Sequence, residues 1–258
     1  MRRLFLLVLL AAGLPIVLLG RATAAERVVA CGGDSNWPPM TYQAPGETQV
    51  KGLSADVLRA IFANDTDLAI HLRPWVRCLT EVTRADGADI VMSFLRNPER
   101  DKQFLFSRPY ANLTPAYIYL SRRYPTPPVR SLADLSQLKV CALRGASTSY
   151  SKLPPSAIDS GSSGYASLIG KLNLEHCDVV VDLQEILLGH QKLGIIPLDA
   201  SLHTIALLPQ TEPNPLHFGV SKDNPRAAKL VERLDRGIAE LQRSGALAKL
   251  LATYQLSK

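Results

Sequence analysis

Short apolar runs alternate with stretches of helical periodicity along almost all of residues 26–258, and that alternation leaves few folds open. Arg27–Cys31 reads as a strand. Ser54 is expected to cap a helix whose Val57, Leu58, Ile61 and Phe62 form one apolar stripe. Ala69–Leu72 is strand-like, Trp75, Val76, Leu79 and Val82 lie on a helical face, and Asp89–Ser93 is a run of the kind buried on both faces of a sheet. Parallel strands need a crossover, which a helix supplies, so this βαβαβ order predicts an α/β fold with a mostly parallel sheet flanked by helices.

A second unit of the same kind follows. Ser131-Leu132-Ala133-Asp134 fits a capping box, and Lys139–Leu143 is another buried-type strand. Ser167–Leu172 is helical, with Ser163 or Gly164 as an earlier start, and Cys177–Asp182 is a further strand. Gly161-Ser162-Ser163-Gly164 reads as a flexible loop, and the proline-rich Arg122–Pro128 as a surface loop of this unit. From Pro225 on, Ala227, Val231, Leu234, Ile238 and Leu241 recur at spacings of three and four, the mark of an amphipathic helix. Ser244-Gly245 breaks it, and Ala246–Tyr254 makes a short last helix.

The first 25 residues read differently. Met1-Arg2-Arg3 is basic, Leu4–Leu19 is an apolar run broken by Gly13 and Pro15, and Arg21–Glu26 carries a small-x-small pattern. That order describes a secretory signal peptide over residues 1–25, cleaved after Ala24 or Ala25. The apolar run falls short of the roughly 20 residues that span a bilayer. Val28–Cys31 looks like a lipoprotein box, but Arg21, Glu26 and Arg27 separate it from the apolar run, so Cys31 reads as part of the first strand. The expected address is the periplasm. Loss of Arg2, Arg3 and Arg21 takes Lys plus Arg from 29 to 26 against 23 acids, and the formal charge from +6 to +3. With no Lys/Arg block and no basic-aromatic interleaving, no nucleic-acid partner is expected.

Four cysteines, Cys31, Cys78, Cys141 and Cys177, would then stand in an oxidising compartment and are expected to form disulfides. Three connectivities are open to four cysteines. The chain has no C-x-x-C, and its five histidines are scattered without H-x-x-x-H spacing, so no metal site is expected. It also lacks a phosphate-binding glycine loop and a G-x-S-x-G elbow, and no cofactor is expected.

Ligands of open α/β sheets bind outside the carboxyl ends of the strands. That rule picks out Ser93, the Arg144-Gly145 turn with Ser147-Thr148, Asp182, and the Gly32–Trp37 segment. Hydroxyls, an acid, a turn of small residues and an aromatic suit a pocket for a small polar molecule.

Pro98-Glu99-Arg100 and Phe106-Ser107-Arg108-Pro109-Tyr110 resemble the E-R…F-S-x-P-Y signature of family 3 extracellular solute-binding proteins, the polar amino-acid binders of ABC importers. Trp37–Met40, Gly52–Asp56, Ser131–Leu135, Leu143–Ser147, Cys177–Asp182 and Leu241–Tyr254 are similar to further motifs of that family, in the same order. The resemblance implies two lobes with a ligand cleft between them: residues 26–112 and 216–258 in one, residues 113–215 in the other. It implies a monomer that captures a small ligand and hands it to the membrane component of an ABC transporter, or to a sensor.

The resemblance also implies roles. Arg100 grips a ligand carboxylate, Asp182 receives the ligand ammonium from the other lobe, Trp37 covers the ligand, and Ser93 and Ser147 each make a hydrogen bond. The Ser or Thr usual five residues before the arginine is Leu95 here, followed by Arg96, so the backbone N–H of Leu95 takes that place. With the lobes so divided, the expected disulfides are Cys31–Cys78 and Cys141–Cys177, each within one lobe. Two other uses of the scaffold are a cyclohexadienyl dehydratase-like enzyme and a partner of a periplasmic dehydrogenase. For the enzyme, Glu185 is the nearest candidate acid or base.

Overall fold

A computed structural model describes residues 26–44, 46–63, 66–194, 196 and 198–256; the expected signal peptide lies outside the described residues. Along the chain run β1 (Glu26–Gly33), α1 (Leu53–Ile61), β2 (Thr66–Arg73), α2 (Trp75–Thr83), β3 (Ile90–Leu95), α3 (Pro98–Gln103), β4 (Phe104–Phe106) and β5 (Ala111–Leu113). Then come β6 (Pro115–Leu120), β7 (Val140–Leu143), β8 (Ile158–Ser162), α4 (Tyr165–Asn173), β9 (Val179–Leu183), α5 (Gln184–Leu193) and β10 (His203–Leu207). The chain closes with β11 (Asn214–Ser221), α6 (Ala227–Arg243) and α7 (Ala246–Thr253).

These strands make two sheets. The first has the order β2-β1-β3-β11-β4, with β5 also paired to β11, and the second the order β10-β6-β9-β7-β8. In the first, β1 runs parallel to both β2 and β3, while β11 is antiparallel to its neighbours. In the second, β7 is parallel to β8 and β9, and β6 is antiparallel to β9 and β10. Each sheet is thus mostly parallel with one reversed strand. Both reversed strands, β6 and β11, directly follow a passage of the chain from one sheet to the other, at Thr114 and across residues 208–213. Leu113 pairs with Asn214 in the first sheet, one and two residues beyond the expected lobe limits.

The helices bury the stripes their sequences carry. On α6, Ala227, Leu230, Leu234 and Ile238 are buried at spacings of three and four. That face packs on α1, β4 and β11, and α7 on α1 and α6, which ties the C-terminal residues back to the first lobe. The Tyr254 hydroxyl donates to the Asp56 carboxylate at 2.6 Å and fixes the end of α7.

Two expectations are corrected. Ser54 does not cap α1: Gly52 does, at φ 114°, where a Cβ would run into the Met40 carbonyl. Ser54 is fully buried in the helix, and its hydroxyl bonds Tyr110 and Ser93 instead. Gly161–Gly164 is not a free loop, since Gly161 and Ser162 end β8 and Gly164 is the residue that starts α4. The capping box at Ser131 is present, with Asp134 accepting from the Ser131 and Arg130 amides at 2.9 and 2.8 Å, although it opens a short 3₁₀ helix (Leu132–Gln137).

Cys31 of β1 is joined to Cys78 of α2, and Cys141 of β7 to Cys177 just before β9. Each bridge stays on one side of the passages at Thr114 and 208–213, so neither hinders movement of one lobe on the other. The second closes a separation of 36 residues, for which the chain-entropy model gives roughly 3–4 kcal/mol. The double variant Cys141→Ser/Cys177→Ser is expected to lose stability of that order in denaturant unfolding while keeping its far-ultraviolet circular dichroism.

Candidate functional site

The carboxyl ends of β1, β3, β7 and β9 meet between the two sheets and line one cleft, with a cavity of about 70 Å³. From the first lobe come Trp37, Thr41, Trp75, Ser93, Leu95 and Arg100; from the second come Leu143, Ser147, Tyr150, Tyr165 and Asp182. The structure therefore brings together every ligand-binding residue expected from sequence.

Arg100 is set by local structure. Asn97 caps α3, its side chain accepting from the Arg100 amide at 2.8 Å, and Pro98 stands in the first turn, where its missing N–H leaves nothing unsatisfied. The cap turns Arg100 inward, and the residue is 8% exposed. Its guanidinium donates to the Leu95 carbonyl at 2.5 Å and to the Gly145 carbonyl of the other lobe at 3.0 Å. It also lies over the Phe94 ring at 4.4 Å and near the Trp75 ring at 5.7 Å. Among the described residues no carboxylate pairs with it. Burial lowers its pKa to about 10, so it stays a cation at neutral pH.

Asp182 mirrors it in the second lobe. The residue is 7% exposed; its Oδ2 accepts from the Tyr165 hydroxyl at 2.6 Å and its Oδ1 from the Leu183 amide at 2.8 Å. Among the described residues no Lys, Arg or His pairs with it. Burial raises its pKa to about 6, against the lowering effect of those two bonds. Burial, with the charge of Asp182 as a second cause, holds the Tyr150 and Tyr165 hydroxyls well above the usual phenol range.

Ser93 is held at φ 55°, a left-handed conformation rare for a residue with a side chain. Its hydroxyl belongs to a chain of four hydroxyls running from Thr41 through Ser93 and Ser54 to Tyr110. Ser147, 5% exposed, accepts from the Asn97 side chain at 3.3 Å, another bond between lobes. Leu95 pairs with Leu216 of β11 and offers its carbonyl to Arg100.

Two donors of the first lobe converge on one acceptor of the second. The Trp75 indole N–H reaches the Gly145 carbonyl at 2.9 Å, beside the bond from Arg100. Gly145 sits at φ 74°, and an added Cβ would come within 3.0 Å of the Trp75 ring. The turn after β7 therefore needs glycine for its conformation and for this contact.

Glu185 is not placed for chemistry in the cleft. Its two carboxylate oxygens accept from the Thr114 amide and hydroxyl, both at 2.8 Å, and the Gln184 amide donates to the Thr114 carbonyl at 2.8 Å. Thr114 is the passage from β5 to β6, so Glu185 clamps a crossing between lobes. The cleft residues that sequence reasoning missed are Thr41, Trp75, Tyr150 and Tyr165. Trp75 had one signal, an aromatic on a helical face directly after a strand. Among the described residues, no group of three His, Cys, Asp or Glu side chains is placed to hold a metal ion, and no helix is long and apolar enough to cross a membrane.

Two mixed sheets, two passages of the chain between them and a buried charged cleft at their strand ends define a two-lobed solute-binding protein. The chain belongs to the bacterial extracellular solute-binding proteins, family 3, whose profile matches residues 29–257. An amino-acid ABC transporter substrate-binding protein of Streptococcus pneumoniae, bound to L-arginine, is 22% identical with a TM-score of 0.72, over 90% of this chain and 97% of that one. A histidine kinase sensor domain with similarity to periplasmic binding proteins is 18% identical with a TM-score of 0.70, over 89% and 96%. An ancestral amino-acid-binding protein, a precursor of cyclohexadienyl dehydratase, is 17% identical with a TM-score of 0.69, over 88% and 95%. No curated protein sequence matches the chain.

The charge state of Asp182 has a measurable consequence. With a folded pKa of about 6 against an ordinary 3.8, the folded state holds the extra proton, so this carboxylate takes stability away as pH rises from about 4 to about 6. His190, fully buried against Tyr165 at 4.1 Å between ring centres, has its pKa lowered by burial from 6.5 to about 4. Its contribution has the opposite sign over the same window. The carboxylate is therefore isolated by difference: Asp182→Asn should gain on the wild type as pH rises from 4 to 6, by roughly 2 kcal/mol. Denaturant unfolding of both proteins across that range measures it, and a constant difference would show that Asp182 is not a buried, unpaired carboxylate.

Proposed function

We propose that this protein is a periplasmic receptor, not an enzyme, and that it captures a carboxylate-bearing, amino-acid-like ligand for an ABC importer or a sensor. The observation that carries the reading is the pair of buried, oppositely charged groups without ionic partners, Arg100 in one lobe and Asp182 in the other, facing one cleft. A buried charge is tolerable only when paired, and a ligand with a carboxylate and an ammonium supplies both partners. Arg100 takes the carboxylate, as a planar guanidinium with donors left over after its two carbonyl bonds. Asp182 takes the ammonium. The Leu95 N–H and the Ser93 and Ser147 hydroxyls add hydrogen bonds, and Trp37 covers the ligand. The lobes are residues 26–112 with 216–258, and 113–215, closing about the two passages of the chain as a hinge. Residues 1–25 direct export, and the mature chain acts as a monomer.

A receptor reading is favoured over an enzyme one by Glu185, whose carboxylate is committed to the hinge at Thr114. The amino acid giving the largest thermal shift among the twenty standard ones serves as the probe. At a hundred times its dissociation constant it should add about 2.7 kcal/mol of stability. In titration calorimetry Arg100→Ala and Asp182→Ala are expected to cost about 2–5 kcal/mol each, or 30- to several-thousand-fold in affinity. Arg96→Ala and Arg108→Ala, at solvated positions, should each cost under about 1 kcal/mol. An essential Arg96 with a silent Arg100 would mean that the carboxylate sits elsewhere.

A further inference from the structure

The cleft holds a second kind of information, in what its walls leave out. Among the described residues that line it, Arg100 and Asp182 are the only charged ones. If each takes one of the ligand's backbone charges, as proposed above, no ionic partner is left for a side chain. The rest of the wall is Trp37, Trp75, Tyr150, Tyr165 and aliphatic side chains, with a few hydroxyls. Several of those hydroxyls are already bonded to one another or across the lobes.

The lobes are tied beside the cleft by Arg100 and Trp75 to the Gly145 carbonyl and by Asn97 to Ser147. A charged side chain would find no ionic partner on these walls.

We infer that the ligand is a net-neutral zwitterion, an amino acid with an uncharged side chain, and that cationic and anionic amino acids are excluded. The inference rests on the roles proposed for Arg100 and Asp182. It sets this chain apart from the arginine-bound S. pneumoniae relative, whose ligand carries a third charge. Exclusion here comes from a missing counter-ion, a repulsive element that needs no steric clash.

Titration calorimetry of the wild type against alanine, serine, threonine, valine, leucine and glutamine, and against arginine, lysine, aspartate and glutamate, tests it. At least one of the neutral set should bind, with the charged amino acids at least a hundred-fold weaker. Ser35→Asp provides the converse, since it places a carboxylate at a half-buried loop position on the cleft wall. It should raise the affinity for lysine or arginine relative to alanine at least ten-fold. Arginine or glutamate bound as tightly as alanine, and lost in Arg100→Ala, would overturn this inference and leave the receptor reading standing. A Ser35→Asp variant with unchanged preference would also overturn it. Silence of the whole panel on the wild type would overturn both.

Discussion

The arrangement turns on a guanidinium taken out of water without an anion. Arg100 is compensated by two carbonyl dipoles and two aromatic faces, a softer environment than a carboxylate and one that leaves the net charge in place. Its pKa of about 10 means that it cannot relieve the cost by losing its proton near neutrality. Much of the surrounding structure serves to keep it there. The Asn97 cap turns α3, the left-handed turn at Gly145 aims a carbonyl from the other lobe, and the Cys31–Cys78 bridge ties α2, and with it Trp75, to β1. A buried cation held this firmly is a feature that packing alone does not favour, because an apolar residue of similar volume would fit the same space at lower cost.

The two passages of the chain between lobes explain how such a site is entered. At the first, Glu185 and Gln184 grip Thr114 from the start of α5, and α5 also carries His190 against Tyr165, the donor to Asp182. The segment that clamps the hinge is therefore continuous with the segment that supports the acidic half of the site. At the second, the Leu208 amide donates to the Pro115 carbonyl, so the outgoing and returning strands are bonded beside each other. In the proposed closure, rotation there would carry Asp182, Ser147 and the Gly145 carbonyl together.

The sequence made the fold legible where periodicity and strand ends carried it. The alternation of apolar runs and helical stripes marked both units, the stripe from Ala227 to Leu241 marked α6, and the strand-end rule reached Ser93, Ser147 and Asp182. Arg100 was readable because a Pro-Glu-Arg turn and Phe-Ser-Arg-Pro-Tyr stand in a fixed register around it. What stayed hidden depended on contacts between residues distant along the chain. Ser54 looked like a cap because serine before an apolar stripe usually is one, and only the nearness of Ser93 and Tyr110 gives its hydroxyl other partners. Trp75 shares a helical face with Val76, Leu79 and Val82, yet Val76 is 50% exposed and α2 buries only Cys78 and Val82, so the periodicity alone does not say that its ring reaches the cleft. Glu185 looked available for chemistry because nothing in the sequence joins it to Thr114, 71 residues away. Tyr165 had no local signal at all, since its partner Asp182 comes 17 residues later on another element.

Placing the two unpaired charges on different lobes has a thermodynamic meaning. An empty cleft that closes buries both charges uncompensated, which works against closure. A ligand bound to the open form through one lobe alone has one charge paired and the other still in water. Only with the ligand in place and the lobes together are all four charges paired away from solvent, where each interaction is strongest. On the roles proposed for Arg100 and Asp182, closure and full binding would be one event, and the ligand's preference for the closed form would come from the second ion pair. The crossing bonds at the Gly145 carbonyl fit this scheme, because Arg100 is the side chain that would meet the carboxylate and also the one that reaches the opposite lobe. A group that met the ligand with part of its fork and the other lobe with the rest would link occupancy to shape without any intermediary.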